Sequence, residues 1–170
     1  MYRTSQTEPN RPLRRERLWL PVEDFPTLLD ACQTPRDRAV VAIGLFTMCR
    51  GGEVSLLKVQ DVDFDRNTID IYREKTDEYD TMPLSKELKA ELLTWLNHYR
   101  ERQGGELDPD WYLVPAQTGL PMRYDPMVRR LQPTGEAPHY RPTKRLGKPY
   151  EAVKRALIVM GIDPKGQGVH

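Results

Sequence analysis

The stretch from Ala39 to Cys49 most strongly limits what this chain can fold into, because it is apolar nearly all round (AVVAIGLFTMC). It follows a charged start at residues 36–38 (RDR). A helix that is apolar on every side needs partners on every side, so the pattern predicts the buried centre of a domain. The sequence runs straight on into residues 50–53 (RGGE), where paired glycines favour a break and the start of a short helix.

A small antiparallel sheet is predicted next. Residues 68–72 (TIDIY) alternate as a half-buried strand should, and a second alternation over residues 80–84 returns antiparallel to the first. The polar residues between them predict a turn with Lys75 near its tip. The result is a hairpin or a three-stranded sheet.

The remaining periodicity is helical. Ser85 is the predicted N-cap of the clearest amphipathic helix, whose apolar stripe runs from Leu88 to Tyr99 and which is predicted to end at Gly104-Gly105. Residues 108–147 are rich in Pro and Gly and are predicted to form long loops with short helical turns. A last helical pattern closes at Gly161. The fold class predicted from these segments is α+β, mainly α-helical, with a small antiparallel β-sheet.

Composition excludes several classes of protein. No apolar run in the 170 residues approaches the ~20 residues that a membrane span needs, and no apolar segment follows Met1 as in a signal peptide. Two cysteines make no disulfide framework and fit a reducing interior. Three histidines and two cysteines show no metal-ligand spacing, so no metal site or cofactor is predicted.

The formal net charge of +1 hides an asymmetry along the chain. Residues 1–17 carry a balance of +3, residues 18–122 of −8, and residues 123–170 of +6. Basic ends around an acidic middle indicate a polyanion that is contacted by parts of the chain. Alternatively, the charged residues are simply solvated and residues 1–17 form a flexible arm. The charge distribution alone favours this second interpretation.

Arg50 is the first residue that points to chemistry. A guanidinium at the end of a buried helix either pairs with a carboxylate or binds an anion, since burying it unpaired is costly. Glu53, three residues on, could hold Arg50 in a fixed pose. The alternative is an internal ion pair with no further role, and these four residues alone favour that alternative.

Three longer stretches, in order, resemble the tyrosine recombinase (phage integrase) family. Residues 36–65 (RDRAVVAIGLFTMCRGGEVSLLKVQDVDFD) resemble the box around the family's first catalytic arginine. Residues 68–84 (TIDIYREKTDEYDTMPL) resemble its β-hairpin with Lys-Thr in the turn, and residues 150–170 resemble the run-up to its His-x-x-Arg motif. The resemblance implies the family's catalytic-domain fold over 18–170, with 1–17 as a basic interdomain linker.

The resemblance implies a role for each matching residue. Arg50 corresponds to the arginine that grips the oxygens of the scissile phosphate, and Glu53 to the acidic residue that supports the active site. Lys75 corresponds to the lysine that protonates the leaving 5′-oxygen. His170 corresponds to the acid/base histidine of His-x-x-Arg. The implied chemistry uses neither metal nor cofactor.

The sequence also departs from the family pattern. Residues 48–49 (MC) stand where the family usually has Gly-Leu, and the Gly51-Gly52 pair adds freedom after Arg50. The second catalytic arginine and the nucleophilic tyrosine would lie beyond His170, and none of the eight tyrosines sits at the nucleophile's place. The expectation is therefore a catalytic-domain fragment, cut at both ends and inactive alone.

Basic residues outside these boxes are predicted to contact DNA phosphates without reading sequence. They lie in the linker and in the basic cluster before the last helix: Arg14, Arg15, Arg17, Arg129, Arg130, Lys144, Arg145 and Lys148.

The function implied for the parent protein is site-specific recombination through a 3′-phosphotyrosyl intermediate, as in a phage or mobile-element integrase. Its partners would be double-stranded attachment-site DNA and further copies of itself, as a tetramer on DNA, with no membrane contact. Its place would be the cytoplasm of a bacterial host, at the nucleoid. Two alternatives stay open: a non-catalytic DNA-binding or regulatory module with the same fold, and a helical interaction domain with no DNA role, favoured only by the acidic middle.

Overall fold

The computed structural model describes residues 20–116, 122–125, 130–133 and 144–165. The α-helices in these ranges are α1 (Phe25–Asp30), α2 (Pro35–Thr47), α3 (Gly51–Leu56), α4 (Lys86–Gln103) and α5 (Tyr150–Val159). The strands are β1 (Val62–Asp63), β2 (Thr68–Arg73), β3 (Glu78–Pro83), β4 (Met122–Asp125) and β5 (Arg130–Pro133). This mainly helical α+β architecture is the one that the sequence predicts.

Helix α2 lies at the centre of the domain. It contacts α1, α3, α4 and α5, and its residues from Ala39 to Ile43 are buried. The apolar surface on every side of this helix is covered by these neighbours, which confirms the prediction of a central buried helix.

Ion pairs fix the charged start of α2 to its neighbours. The buried carboxylate of Asp37 accepts hydrogen bonds from Nε (2.8 Å) and Nη2 (2.9 Å) of Arg155 on α5. Arg38 donates from Nε and Nη2 to Glu91 on α4 at 2.7 and 2.8 Å, and from Nη1 to Asp30 on α1 at 2.8 Å. These contacts hold the start of α2 against α1, α4 and α5.

The predicted sheet has three antiparallel strands in the order β1-β2-β3. Asp70 pairs with Thr81 and Tyr72 with Tyr79, so β2 and β3 form a hairpin whose turn spans residues 74–77. Lys75 lies in that turn, as predicted. Ile69 and Ile71 are fully buried on the inner face of β2, which holds the hairpin against the helices.

Helix α4 begins and ends where the sequence predicts. The hydroxyl of Ser85 accepts a hydrogen bond from the backbone N–H of Leu88 at 3.1 Å, and Gly104 closes the helix in the left-handed conformation (φ 75°). Its buried stripe includes Leu88, Trp95 and Tyr99, and the indole Nε1 of Trp95 donates to the carbonyl of Leu113 at 2.7 Å.

Two details differ from the expectation. Residues 122–125 and 130–133 pair as an antiparallel two-stranded sheet inside the region predicted to be loops. The break after α2 comes at Met48 (φ 54°) rather than at the glycine pair, and Gly51-Gly52 form the first turn of α3 instead. A glycine pair permits a break but does not impose one, because ordinary helical angles are open to glycine too.

Within the described ranges, none of the helices combines the length and apolar character needed to cross a membrane. The same ranges contain no group of three or more His, Cys, Asp or Glu residues arranged to hold a metal ion.

Candidate functional site

Arg50 lies between the centre of the domain and its surface. Helix α2 ends at Thr47 with Met48 as its C-cap, Cys49 is buried, and Arg50 is in an extended conformation that turns the chain into α3. Its side chain is 64% exposed. Arg50 therefore follows closely after the buried helix and presents its guanidinium to solvent.

Glu53 lies directly beneath Arg50 and is almost fully buried, with a side chain that is 2% exposed. Its Oε2 accepts a hydrogen bond from the backbone N–H of Arg50 at 2.8 Å, and its Oε1 lies 3.4 Å from Nη1 of Arg50. The first of these bonds fixes the backbone from which the Arg50 side chain projects, because it satisfies a free N–H at the start of α3.

The shorter side-chain ion pair of Glu53 is made with Arg73, the last residue of β2. Nη1 of Arg73 donates to Oε2 of Glu53 at 2.8 Å, and Nη2 donates to Oδ2 of Asp80 on β3 at 2.9 Å. Hydrogen bonds to Asp80, and then to Glu53, raise the pKa of Arg73. The guanidinium fork is thus held between one buried and one half-exposed carboxylate.

Lys75 completes the group. Together with Arg50, Glu53 and Glu74 it lines an open depression of about 350 Å³. Lys75 is exposed and comes from the hairpin turn, whereas Arg50 comes from the start of α3. Two cations from distant parts of the sequence therefore border one depression that is wide enough for a phosphate group. Among the described residues, no tyrosine lines it.

Arg145 lies beside this depression on the segment before α5. Its Nε donates to the hydroxyl of Ser55 at 2.7 Å, and its Nη2 donates to the carbonyl of Gly52 at 3.2 Å and lies 3.6 Å from Oε1 of Glu74. Its side chain stays 42% exposed. A predicted DNA-contact residue is thereby placed next to the α3 turn that holds Arg50.

The buried thiol of Cys49 lies 3.9 Å from Nη1 of Arg73. Burial raises the pKa of this thiol, so it stays protonated at neutral pH and offers no nucleophile to the depression.

The structure brings together three of the four predicted catalytic residues: Arg50, Glu53 and Lys75. His170 lies outside the described residues, as do four predicted DNA contacts, Arg14, Arg15, Arg17 and Arg129. Arg130 begins β5, and Lys144 and Lys148 are exposed on the segment that leads into α5.

Arg73 is the member of this group that sequence reasoning missed. A signal for it exists in the strand pattern, since residues 69, 71 and 73 lie on the same face of β2 and the first two are buried isoleucines. An arginine that continues a buried face needs a buried carboxylate, and Glu53 is that carboxylate.

The model of the phage integrase family matches residues 18–142 of the chain. With the central helix, the three-stranded sheet and the Arg50–Lys75 depression in place, this match shows that the chain belongs to the phage integrase family, the tyrosine recombinases.

The comparison of folds agrees. The chain is similar to the crystal structure of XerA recombinase, with a TM-score of 0.57 and 20% sequence identity. The match covers 85% of this chain and 44% of that chain, so this chain spans less than half of the solved recombinase. At this identity the similarity shows the shared fold. The search of curated proteins found no significant match.

Proposed function

We propose that this chain provides the catalytic domain of a DNA-recombining enzyme that cuts and rejoins strands through a 3′-phosphotyrosyl intermediate. The observation that supports this most directly is the pair of Arg50 and Lys75 at one depression, with Glu53 buried beneath Arg50. An arginine fork and a lysine on a flexible stem are the cations suited to holding a phosphodiester and to moving a proton.

In the proposed reaction, Arg50 binds the non-bridging oxygens of the scissile phosphate and stabilises the charge that develops on them. A tyrosine hydroxyl attacks phosphorus, the P–O5′ bond breaks, and the new P–O bond joins the 3′-phosphate to the tyrosine. Lys75 gives its proton to the leaving 5′-oxygen, and His170 takes the proton of the tyrosine hydroxyl. A 5′-hydroxyl from a partner strand reverses these steps and releases the enzyme.

By the resemblance, the nucleophilic tyrosine and the second catalytic arginine would follow His170 in sequence. Arg145 supports the proposal as a further phosphate contact, because it is exposed next to the same depression. Double-stranded DNA is the proposed partner, and Lys144 and Lys148 extend the basic surface beside Arg145.

From the family match alone we also propose three properties of the parent protein. It acts as a phage or mobile-element integrase, it assembles as a tetramer on paired DNA sites, and it works on the nucleoid in the host cytoplasm.

The test is covalent capture of DNA. A chain continued past His170 is mixed with nicked duplex DNA that carries the candidate attachment site, and adducts are scored on a denaturing gel. We expect adducts in this chain and none in its Arg50→Ala variant. Lys75→Ala should also fail, but a substrate with sulfur at the bridging 5′ position should restore adduct formation, because a thiolate leaves without a proton.

Arg66→Ala is the matched control, because Arg66 is 84% exposed in the turn between β1 and β2 and does not line the depression. It should form adducts as the unmodified chain does. DNA binding without any adduct would contradict the proposal and favour a regulatory module with the recombinase fold. Failure to bind DNA at all would favour an interaction domain.

A further inference from the structure

We propose that Arg73 is a positioning residue of this site: it neutralises Glu53 and thereby keeps the guanidinium of Arg50 available for a phosphate. The proposal rests on the proposed function, in which Arg50 binds DNA. It goes beyond that function by assigning the readiness of Arg50 to a residue outside the depression.

Glu53 requires a close cation. Its side chain is 2% exposed, and a buried carboxylate is stable only when it is paired and hydrogen-bonded. Among the described residues, two arginines are within reach of Glu53. Nη1 of Arg73 lies 2.8 Å from Oε2, while Nη1 of Arg50 lies 3.4 Å from Oε1.

The two arginines differ in how firmly they are held. The side chain of Arg73 is 23% exposed, and its second nitrogen is fixed by Asp80 at 2.9 Å on the neighbouring strand. The side chain of Arg50 is 64% exposed. Arg73 is therefore the resident counter-ion of Glu53, and Arg50 makes only a long contact with the same carboxylate.

Removing Arg73 would change the partner of Glu53. Within the part of the chain that the structure describes, the buried carboxylate would then have Arg50 as its remaining cation, and the electrostatic gain on closing the 3.4 Å contact would draw that guanidinium inward. An arginine that neutralises Glu53 with its fork cannot grip a phosphate with the same nitrogens. The structure thus makes a specific prediction: losing Arg73 should disable Arg50, and removing the charge of Glu53 should restore it.

The experiment measures the affinity of the chain for a labelled DNA duplex by fluorescence anisotropy at low salt. The variants are Arg50→Ala, Arg73→Met, Glu53→Gln, and the doubles Arg73→Met/Arg50→Ala and Arg73→Met/Glu53→Gln, each checked for folding by circular dichroism. Arg66→Met is the control for losing one arginine. We expect Arg50→Ala and Arg73→Met each to lose about tenfold in affinity, and their combination to lose little more.

Rescue separates positioning from a merely structural role. Arg73→Met/Glu53→Gln should recover affinity to within about twofold of the unmodified chain, because no buried charge then competes for Arg50. A loss in Arg73→Met no larger than that in Arg66→Met, or no recovery in the double variant, would overturn the inference. If Arg50→Ala itself leaves DNA affinity unchanged, the proposed function fails first, and the inference falls with it.

A second variant decides the question if Arg73→Met does not fold. In Arg73→His the imidazolium replaces the guanidinium at low pH and loses its charge as the pH rises through its pKa, which the carboxylates of Glu53 and Asp80 hold above the ordinary value of about 6.5. We expect its DNA affinity to fall relative to that of the unmodified chain over this range, and the fall to vanish in Arg73→His/Glu53→Gln. A ratio of affinities that does not change with pH would overturn the inference.

Discussion

The 2.8 Å hydrogen bond from Nη1 of Arg73 to the carboxylate of Glu53 joins the last residue of β2 to the first turn of α3. It is an ion pair between elements twenty residues apart in the chain, with the carboxylate almost fully buried. Because β2 leads directly into the hairpin turn, this contact joins the two sides of the depression.

Substituting Glu53 tests how much the fold depends on this contact. We expect Glu53→Ala to lower the free energy of unfolding by about 2 kcal/mol, since it leaves Arg73 half-paired and the backbone N–H of Arg50 without its acceptor. Urea denaturation measures the loss. Glu53→Gln keeps an acceptor for that N–H and should lose clearly less. Equal losses in the two variants would show that the hydrogen bond to Arg50 contributes nothing.

Met48 offers a stabilising substitution next to the site. Met48 adopts a left-handed backbone conformation (φ 54°), which is strained for residues other than glycine. Since Met48 is 77% exposed, its side chain gains little from packing. Met48→Gly should raise the free energy of unfolding by about 1 kcal/mol. Met48→Ala is the matched control, because it removes the same side chain and keeps the strain. A gain in Met48→Ala as large as that in Met48→Gly would rule out this explanation.

The two glycines after Arg50 should respond differently to alanine. A Cβ on Gly51 would lie 3.9 Å from the nearest atom, an ordinary contact with Pro149. A Cβ on Gly52 would lie 3.0 Å from Oε2 of Glu74, a tight contact that would push on the carboxylate whose Oε1 pairs with Arg145. Gly51→Ala should therefore raise the free energy of unfolding by about 0.5 kcal/mol through a less flexible unfolded chain. Gly52→Ala should gain less than Gly51→Ala, and a larger gain at Gly52 would contradict the close approach of Glu74.

His98 on α4 should make stability depend on pH. Burial against Trp95, and then the charge of Arg102, lower its pKa below the ordinary value of 6.5. A histidine whose folded-state pKa is lowered resists protonation in the fold, so stability falls as the pH drops below the unfolded value. Thermal unfolding of the unmodified chain and of His98→Gln should show a difference that grows from pH 7.5 to about 5.5. A constant difference across this range would contradict the assignment.

Much of the fold follows from periodicity. The all-round apolar stretch predicts α2 as the centre, the hydroxyl of Ser85 and the conformation of Gly104 mark the ends of α4, and the alternation over residues 68–72 predicts β2. The pairing of β4 with β5 does not follow, because its Pro- and Gly-rich surroundings suggest loops and the pairing depends on which two segments of backbone meet.

Part of the candidate site can likewise be predicted from the sequence, and part of it cannot. The spacing of Arg50 and Glu53 and the place of Lys75 in a turn can be read from the sequence, because each depends on local structure. The ion pair between Glu53 and Arg73 cannot, because it depends on how β2 packs against α3. The spacing in the sequence predicts an ion pair of Glu53 with Arg50. In the structure the shorter side-chain contact of Glu53 is with Arg73, at 2.8 Å against 3.4 Å for Arg50.

The salt dependence of DNA affinity tests directly whether Arg50 and Lys75 bind a DNA phosphate. Each phosphate contact makes the slope of log K against log[salt] more negative by about 0.9. Arg50→Ala and Lys75→Ala should therefore each reduce the magnitude of this slope by about 1. Arg66→Ala should leave the slope unchanged, since Arg66 lies away from the depression. If both site variants keep the slope of the unmodified chain, the depression does not bind phosphate and the account is wrong.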